Sequence, residues 1–176
     1  VWRVLFLREP VAGKRMTLRV LLIGASGVFG SRIARQLAGD PRFQLTLAGR
    51  QLASLTALSE ALGDPSIQTA VLDVAAADLV AAIARLHPQL VIHAAGPFQA
   101  QDYRVAEACL SCGCDYVDLA DGRGFVGGRA GLDDRATAAG RLLVSGASTV
   151  PAFSSAVVDA LLPRFGALEG IEHAIS

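Results

Sequence analysis

The sequence predicts a doubly wound α/β domain, with a parallel sheet of about six strands in the order 3-2-1-4-5-6 and helices on both faces. Three observations predict it. Short apolar runs alternate with helical patterns six times along the chain, the mark of repeated strand–helix–strand units. The runs are continuously apolar, as strands covered on both faces must be. Of the 176 residues, 52% are hydrophobic and 18% charged, with 18 glycines for tight turns, which suits one domain with a sizeable core.

Leu18 to Ile23 is an apolar run that stops at Gly24 and reads as the first strand. A helical pattern follows, with Val28, Ile33 and Leu37 on one face, ended by Gly39-Asp40-Pro41. Phe43 to Ala48 is the second strand. Leu52, Leu55, Leu58 and Leu62 mark a helix closed by Gly63 and Pro65. Ile67 to Leu72 is the third strand. Leu79, Val80, Ile83 and Leu86 mark the third helix, stopped by His87-Pro88. Leu90 to His93 is the fourth strand, and a helix from about Asp102 to Cys112 is capped by Gly113. Asp115 to Leu119 is the fifth strand, followed by a glycine-rich link and a helix near Leu132 to Ala139. Arg141 to Val144 is the sixth strand. Pro151 is suited to the first turn of a last helix, which runs to about Phe165.

The domain boundaries follow. Residues 1–17 read as a disordered N-terminal extension, 18–165 as one dinucleotide-binding domain, and 166–176 as the start of a truncated second domain. The apolar stretch Val1 to Leu7 is too short for a signal peptide core, and no run is long enough to span a bilayer.

Composition excludes several function classes. The 16 basic and 16 acidic residues cancel, and no basic stripe alternates with aromatics, so nucleic acid is not an expected partner. Cys109, Cys112 and Cys114 are read as reduced thiols of a cytoplasmic protein, since an odd count without a secretory signal does not make a disulfide framework. They lack a neighbouring histidine or fourth cysteine, so no metal site is expected.

The chemistry begins at Gly24-Ala25-Ser26-Gly27-Val28-Phe29-Gly30, between the first strand and its helix. Gly24 turns the chain off the strand, Gly27 lets backbone approach a pyrophosphate, and Gly30 brings the helix close to the sheet. Amides at the helix start then point at the phosphates, where the dipole favours negative charge. This context, and not the glycines alone, makes the loop a Rossmann dinucleotide fingerprint. The spacing is one residue longer than G-x-G-x-x-G, which predicts a wider phosphate loop. At the end of the second strand an NAD site would carry an acid for the ribose 2′-hydroxyl. Here Gly49-Arg50 stands instead, and a guanidinium binds a 2′-phosphate bidentately. NADP(H) is therefore the preferred cofactor, with NAD(H) as the alternative. Asp73-Val74 falls beside the adenine, where Asp73 either accepts from the adenine amine or caps the next helix. Ala94-Ala95-Gly96-Pro97-Phe98 offers small residues over which the dinucleotide passes, and His93 before it reads as a satisfied core histidine.

These segments, with Tyr116-Val117-Asp118-Leu119 and the late Ser145-Gly146-Ala147-Ser148-Thr149-Val150-Pro151, resemble the NADP-binding domain of saccharopine dehydrogenase-like oxidoreductases. The resemblance runs from about Leu18 to Leu162. It implies an oxidoreductase exchanging hydride between NADP(H) and an unidentified small-molecule substrate. It also implies a nicotinamide near Gly96-Pro97-Phe98 and near Tyr116 to Asp121, so that Tyr116, Asp118 and Asp121 are candidate substrate residues. The alternative reading of the two acids is a strand-end carboxylate and a turn residue. Many relatives carry Gly-Glu near that turn, where this chain has Asp121-Gly122. Relatives continue into a second α+β domain that shapes the substrate pocket, and the sequence ends at Ser176 without one. A truncated chain, a fragment of a longer frame or a domain completed by another chain would each look this way. The open face left behind is expected to be apolar and to favour homo-oligomers.

Other classes fare less well. A short-chain dehydrogenase needs Tyr-x-x-x-Lys, whereas Lys14 is the only lysine and neither Tyr103 nor Tyr116 has one four residues on. A semialdehyde dehydrogenase needs a cysteine nucleophile and a histidine base, and Cys109 and Cys112 lie on a predicted helix away from any histidine. A non-catalytic NADP-binding or redox-sensing module remains the alternative from a different class. No catalytic residue is assigned.

Overall fold

The computed structural model describes residues 17–128 and 130–172. The extension assigned to residues 1–17 lies outside them except for Thr17. Six strands form one sheet in the order β3-β2-β1-β4-β5-β6: β1 (Leu18–Ile23), β2 (Phe43–Gly49), β3 (Gln68–Val71), β4 (Leu90–His93), β5 (Asp115–Asp118) and β6 (Leu143–Val144). Every neighbouring pair is parallel. The expected doubly wound sheet and its strand order are what the chain adopts.

The α-helices among the described residues are α1 (Val28–Leu37), α2 (Leu52–Leu62), α3 (Leu79–Leu86), α4 (Arg104–Cys112), α5 (Arg123–Gly127), α6 (Ala130–Ala139) and, after the last strand, α7 (Ser154–Leu161). They build two cores, one on each face of the sheet. Val20, Leu22, Leu45 and Leu47 meet Ala34 of α1 and Leu55 and Leu58 of α2. On the other face Leu21, Ile23, Val91 and Tyr116 meet Ile83 of α3, Val105 and Cys109 of α4, and Leu132. Alternate residues of β1 thus serve opposite faces, as the period of two requires.

A third, smaller core was not foreseen. Phe98, Ala120 and Phe125 are buried together, with Tyr103 and Val126 against them. Phe125 draws the glycine-rich link into the short helix α5, where the sequence reading has only a loop. The Tyr103 hydroxyl donates to the Phe125 carbonyl at 2.8 Å.

Other boundaries shift for physical reasons. Val28 is expected on the buried face of α1, yet it is 68% exposed; Gly30 and Ala34 take the buried line, with Ile33 and Leu37 half-buried beside it. At Gly30 the helix lies against the backbone of Gly24 and Ala25, so no side chain fits there. Leu52 and Val80 are exposed as well. The sixth strand keeps only its last two expected residues. The last helix opens at Pro151 as expected: Val150 before it is extended (φ −126°, ψ 124°), residues 151–153 form a wider π-type turn, and α7 continues it from Ser154. Residues 165–172 carry no helix or strand, and the rest of the stretch assigned to a second domain, 173–176, lies outside the described residues.

Candidate functional site

A cleft of about 750 Å³ opens at the carboxyl ends of β1 to β4. This is where the strand order reverses between β1 and β4, the position at which open α/β sheets bind ligands.

Its floor is backbone. Gly24 turns at φ +79°, and the amides of Gly24 and Ala25 both donate to the Ala48 carbonyl, at 2.9 and 3.1 Å. The Gly27 amide donates to the Gly24 carbonyl at 3.0 Å and closes the loop. A Cβ on Gly24 would stand 2.7 Å from the Ala95 amide nitrogen, and one on Gly30 would strike the Gly24 carbonyl. Only glycine therefore fits either place. Helix α1 starts at this loop with no side-chain cap on its N-cap Gly27 and no acid in its first turn. The amides at its start are left for an anion, which the helix dipole favours.

Gly24, Ser26, Gly27, Val28, Gly49, Arg50, Asp73, Val74, Ala94, Ala95, Gly96 and Pro97 all line this cleft, as the sequence reading expects of a cofactor site. Arg50 extends from the tip of β2, exposed, and among the described residues no carboxylate pairs with it. The Asp73 Oδ1 accepts from the Ala75 amide at 3.0 Å within the turn after β3, while Asp78 is the N-cap of α3, so Asp73 does not cap that helix and it faces the cleft.

Three of the expected cofactor residues lie elsewhere. Ala25 is fully buried in the core beneath α1. Phe29 is 61% exposed and lines a second cavity, of about 420 Å³, on the other side of the α1 start. Phe98 is buried against the His93 ring, edge to face at 5.1 Å between centroids. A fourth, Gly30, acts through packing alone.

Of the candidate substrate residues only Asp121 is exposed, where it accepts from Gln99 Nε2 at 3.2 Å. Tyr116 and Asp118 do not face the open site, contrary to expectation. Strand alternation turns both side chains toward α4 and α6, leaving Tyr116 3% and Asp118 1% exposed. The Tyr116 hydroxyl sits 3.0 Å from His93 Nδ1. Burial pushes the Tyr116 pKa up, and the Asp118 carboxylate adds to the shift. Asp118 Oδ1 accepts from the Ala120 amide (2.9 Å), the Gly146 amide (2.9 Å) and the Ser145 hydroxyl (3.0 Å). The alternative reading as a strand-end carboxylate is the one its geometry supports.

His93 is buried as expected, but it is satisfied only on one side: among the described residues Nε2 has no hydrogen-bond partner. Desolvation lowers its pKa to about 4 despite the opposing Asp118 charge, so the ring is neutral at physiological pH.

The sequence reading missed Gln101. Its Nε2 donates to the carbonyls of Ala95 (2.7 Å) and Pro97 (3.0 Å), tying the loop after β4 into shape at the cleft edge. Nothing local in the sequence marks a glutamine six residues along for that task. The three cysteines are free thiols. A hydrogen bond with Cys114, then burial, raises the Cys109 pKa, and the same bond lowers that of Cys114. No helix among the described residues is long and apolar enough to cross a membrane.

Residues 20–144 match the family model described as the saccharopine dehydrogenase NADP binding domain. The chain is 31% identical over 147 residues to a probable mitochondrial saccharopine dehydrogenase-like oxidoreductase of Arabidopsis thaliana, covering 76% of this chain and 32% of that protein. It is 34% identical over 105 residues to a carboxyaminopropylagmatine dehydrogenase of Synechocystis, covering 58% of this chain and 26% of the relative. Among solved structures, apo saccharopine dehydrogenase (L-Glu forming) from Saccharomyces cerevisiae superposes with a TM-score of 0.62 at 20% identity, over 83% of this chain and 32% of that one. That likeness concerns the fold alone. The chain spans about a quarter to a third of the length of these two curated relatives.

Proposed function

The chain belongs to the family of saccharopine dehydrogenase NADP binding domains, and from that premise we propose that it is the cofactor domain of an NADP(H)-dependent oxidoreductase acting on a small-molecule substrate. One observation carries the reading: the Gly24–Gly30 loop opens the cleft between a central strand and its helix, and Arg50, with no carboxylate partner among the described residues, stands in the same cleft at the neighbouring strand tip. The residues fit a dinucleotide. Gly24 and Gly30 leave room for the backbone to close up there, Gly24 against Ala95 and Gly30 against the Gly24 carbonyl, which keeps the loop at the cleft floor compact. The amides at the start of α1 receive the pyrophosphate without a competing acid. Arg50 holds the 2′-phosphate by charge-assisted hydrogen bonds. Asp73 and Val74 border the adenine, and Ala94 to Pro97 let the dinucleotide cross β4 at close range.

When bound, the nicotinamide supplies or accepts the hydride. The chain's own part is to orient it, and on this reading Gln101 does so by fixing the carbonyls of Ala95 and Pro97. Asp121 is the one candidate substrate residue that reaches solvent. We place the protein in the cytoplasm, where a reducing poise keeps the three cysteines as thiols.

Calorimetric titration with NADPH and NADH, on wild type and Arg50→Ala, tests the reading. NADPH should bind more tightly to wild type, and Arg50→Ala should lose about 1.5–3 kcal/mol toward NADPH while NADH hardly changes. Equal wild-type affinities for the two cofactors would sink the preference for NADP(H), and no binding of either would sink the whole reading.

A further inference from the structure

Asp118 is the last residue of β5 and is 1% exposed. Beside it the sheet is nearly spent. β6 pairs with β5 only through Tyr116↔Leu143 and Val117↔Val144, so the ladder stops just before the segment that leaves β6. Asp118 continues the attachment with its side chain. Its Oδ1 accepts from the Ser145 hydroxyl at 3.0 Å and the Gly146 amide at 2.9 Å, while its backbone carbonyl accepts from the Ala147 amide at 2.9 Å. The same Oδ1 takes the Ala120 amide at 2.9 Å, so one oxygen gathers the loops after β5 and after β6.

The segment so held has a fixed shape. Gly146 turns at φ +84°, and a Cβ there would press on the Pro151 ring at 3.0 Å. Beyond it Ala147, Ser148 and Thr149 stand with Leu119 as one wall of the 420 Å³ cavity, opposite Phe29 and Arg32 of α1.

A dinucleotide spreads to both sides of the point where strand order reverses. With the 2′-phosphate end at Arg50 over β2, the nicotinamide half extends toward β4, β5 and β6. We propose that Asp118 is a positioning residue for that half: by pinning Ser145 to Ala147 against β5, it sets the wall beside which the nicotinamide riboside lies, without touching the cofactor itself. The inference rests on the reading of the cleft as an NADP(H) site.

The test separates the two halves of the ligand. Affinities for NADPH and for 2′,5′-ADP, which has the adenine end and no nicotinamide, are measured on wild type, Asp118→Ala and Asp118→Asn. Asp118→Ala is expected to bind NADPH about tenfold more weakly and 2′,5′-ADP within about twofold of wild type. Asp118→Asn keeps an amide oxygen in the Oδ1 place, with lone pairs for two of the three hydrogen bonds, and is expected to recover part of the NADPH affinity that Asp118→Ala loses. If Asp118→Ala binds NADPH as wild type does, or loses both ligands equally, the inference is wrong while the reading of the cleft stands. If wild type binds neither ligand, both fall together. Should Asp118→Ala not fold, Ser145→Ala takes its place. It is expected to speed amide exchange at Gly146 and Ala147 and to weaken NADPH alone, and an unchanged NADPH affinity overturns the inference.

Discussion

Around β1 the chain is held by backbone, and around β4 and β5 it is held by side chains. At the first place Gly24 and Ala25 hang from one carbonyl, Gly27 closes on Gly24, and Gly30 lets α1 rest on the loop. No side-chain hydrogen bond is needed at its N-cap. At the second, the short strands β4 and β5 are joined by His93 to Tyr116, by Phe98 against His93 and Phe125, and by Asp118 reaching past β6. The difference teaches how a cleft of this kind divides its work. The phosphate side must expose amides and so excludes side chains. The opposite side has only four or fewer residues per strand, too short a ladder to fix its loops, and side chains make up the deficit.

Four changes would break or sharpen that contrast. Truncating Phe98, 6% exposed in the small core, should cost about 3–5 kcal/mol in urea unfolding, as for buried aromatics generally. A loss below about 1 kcal/mol would mean that the aromatic cluster does not hold the β4–β5 side.

The buried His93 gives that side a pH dependence. Its folded pKa, about 4, lies below the ordinary histidine value of 6.5. The unfolded chain therefore binds the proton first, so stability is full above about pH 6.5 and falls as the pH drops toward about 4. The loss is about 3 kcal/mol in all. Unfolding midpoints measured across this window should flatten in His93→Gln, and an equal slope in that variant would assign the effect elsewhere.

On the phosphate side, Gly30→Ala forces a methyl group onto the Gly24 carbonyl. About 1–3 kcal/mol of stability should be lost by overpacking, with NADPH fluorescence enhancement weakened in parallel. Binding at wild-type strength would show that the loop tolerates a side chain there. The smallest effect is expected of Tyr103→Phe, which leaves the Phe125 carbonyl without its donor and should cost about 1 kcal/mol. Hydrogen exchange should quicken in α5 and leave α1 untouched.

How much of this was legible divides along the same line. The glycine loop could be read because each glycine answers a local demand: a positive φ, or a backbone too near for a Cβ. Arg50 could be read because its place follows from where β2 ends. The roles of Tyr116 and Asp118 could not. Their segment was recognised, but their side chains were expected at the substrate and lie in the core. Helix α5 escaped notice because glycines on either side of Phe125 lower helix propensity, and the partners that stabilise it, Phe98 and Tyr103, come from another part of the chain.

By itself the sequence determined the alternation of strands and helices, the parallel order of the sheet and the position of the phosphate loop. Each of these rests on hydrophobic period and turn chemistry within a few residues. The tertiary structure alone decided that Val28 faces outward, that Gln101 ties the loop after β4, and that Asp118 gathers two loops while staying out of the cleft. Those outcomes depend on which distant atoms come within hydrogen-bonding or van der Waals range, and the fold sets that distance.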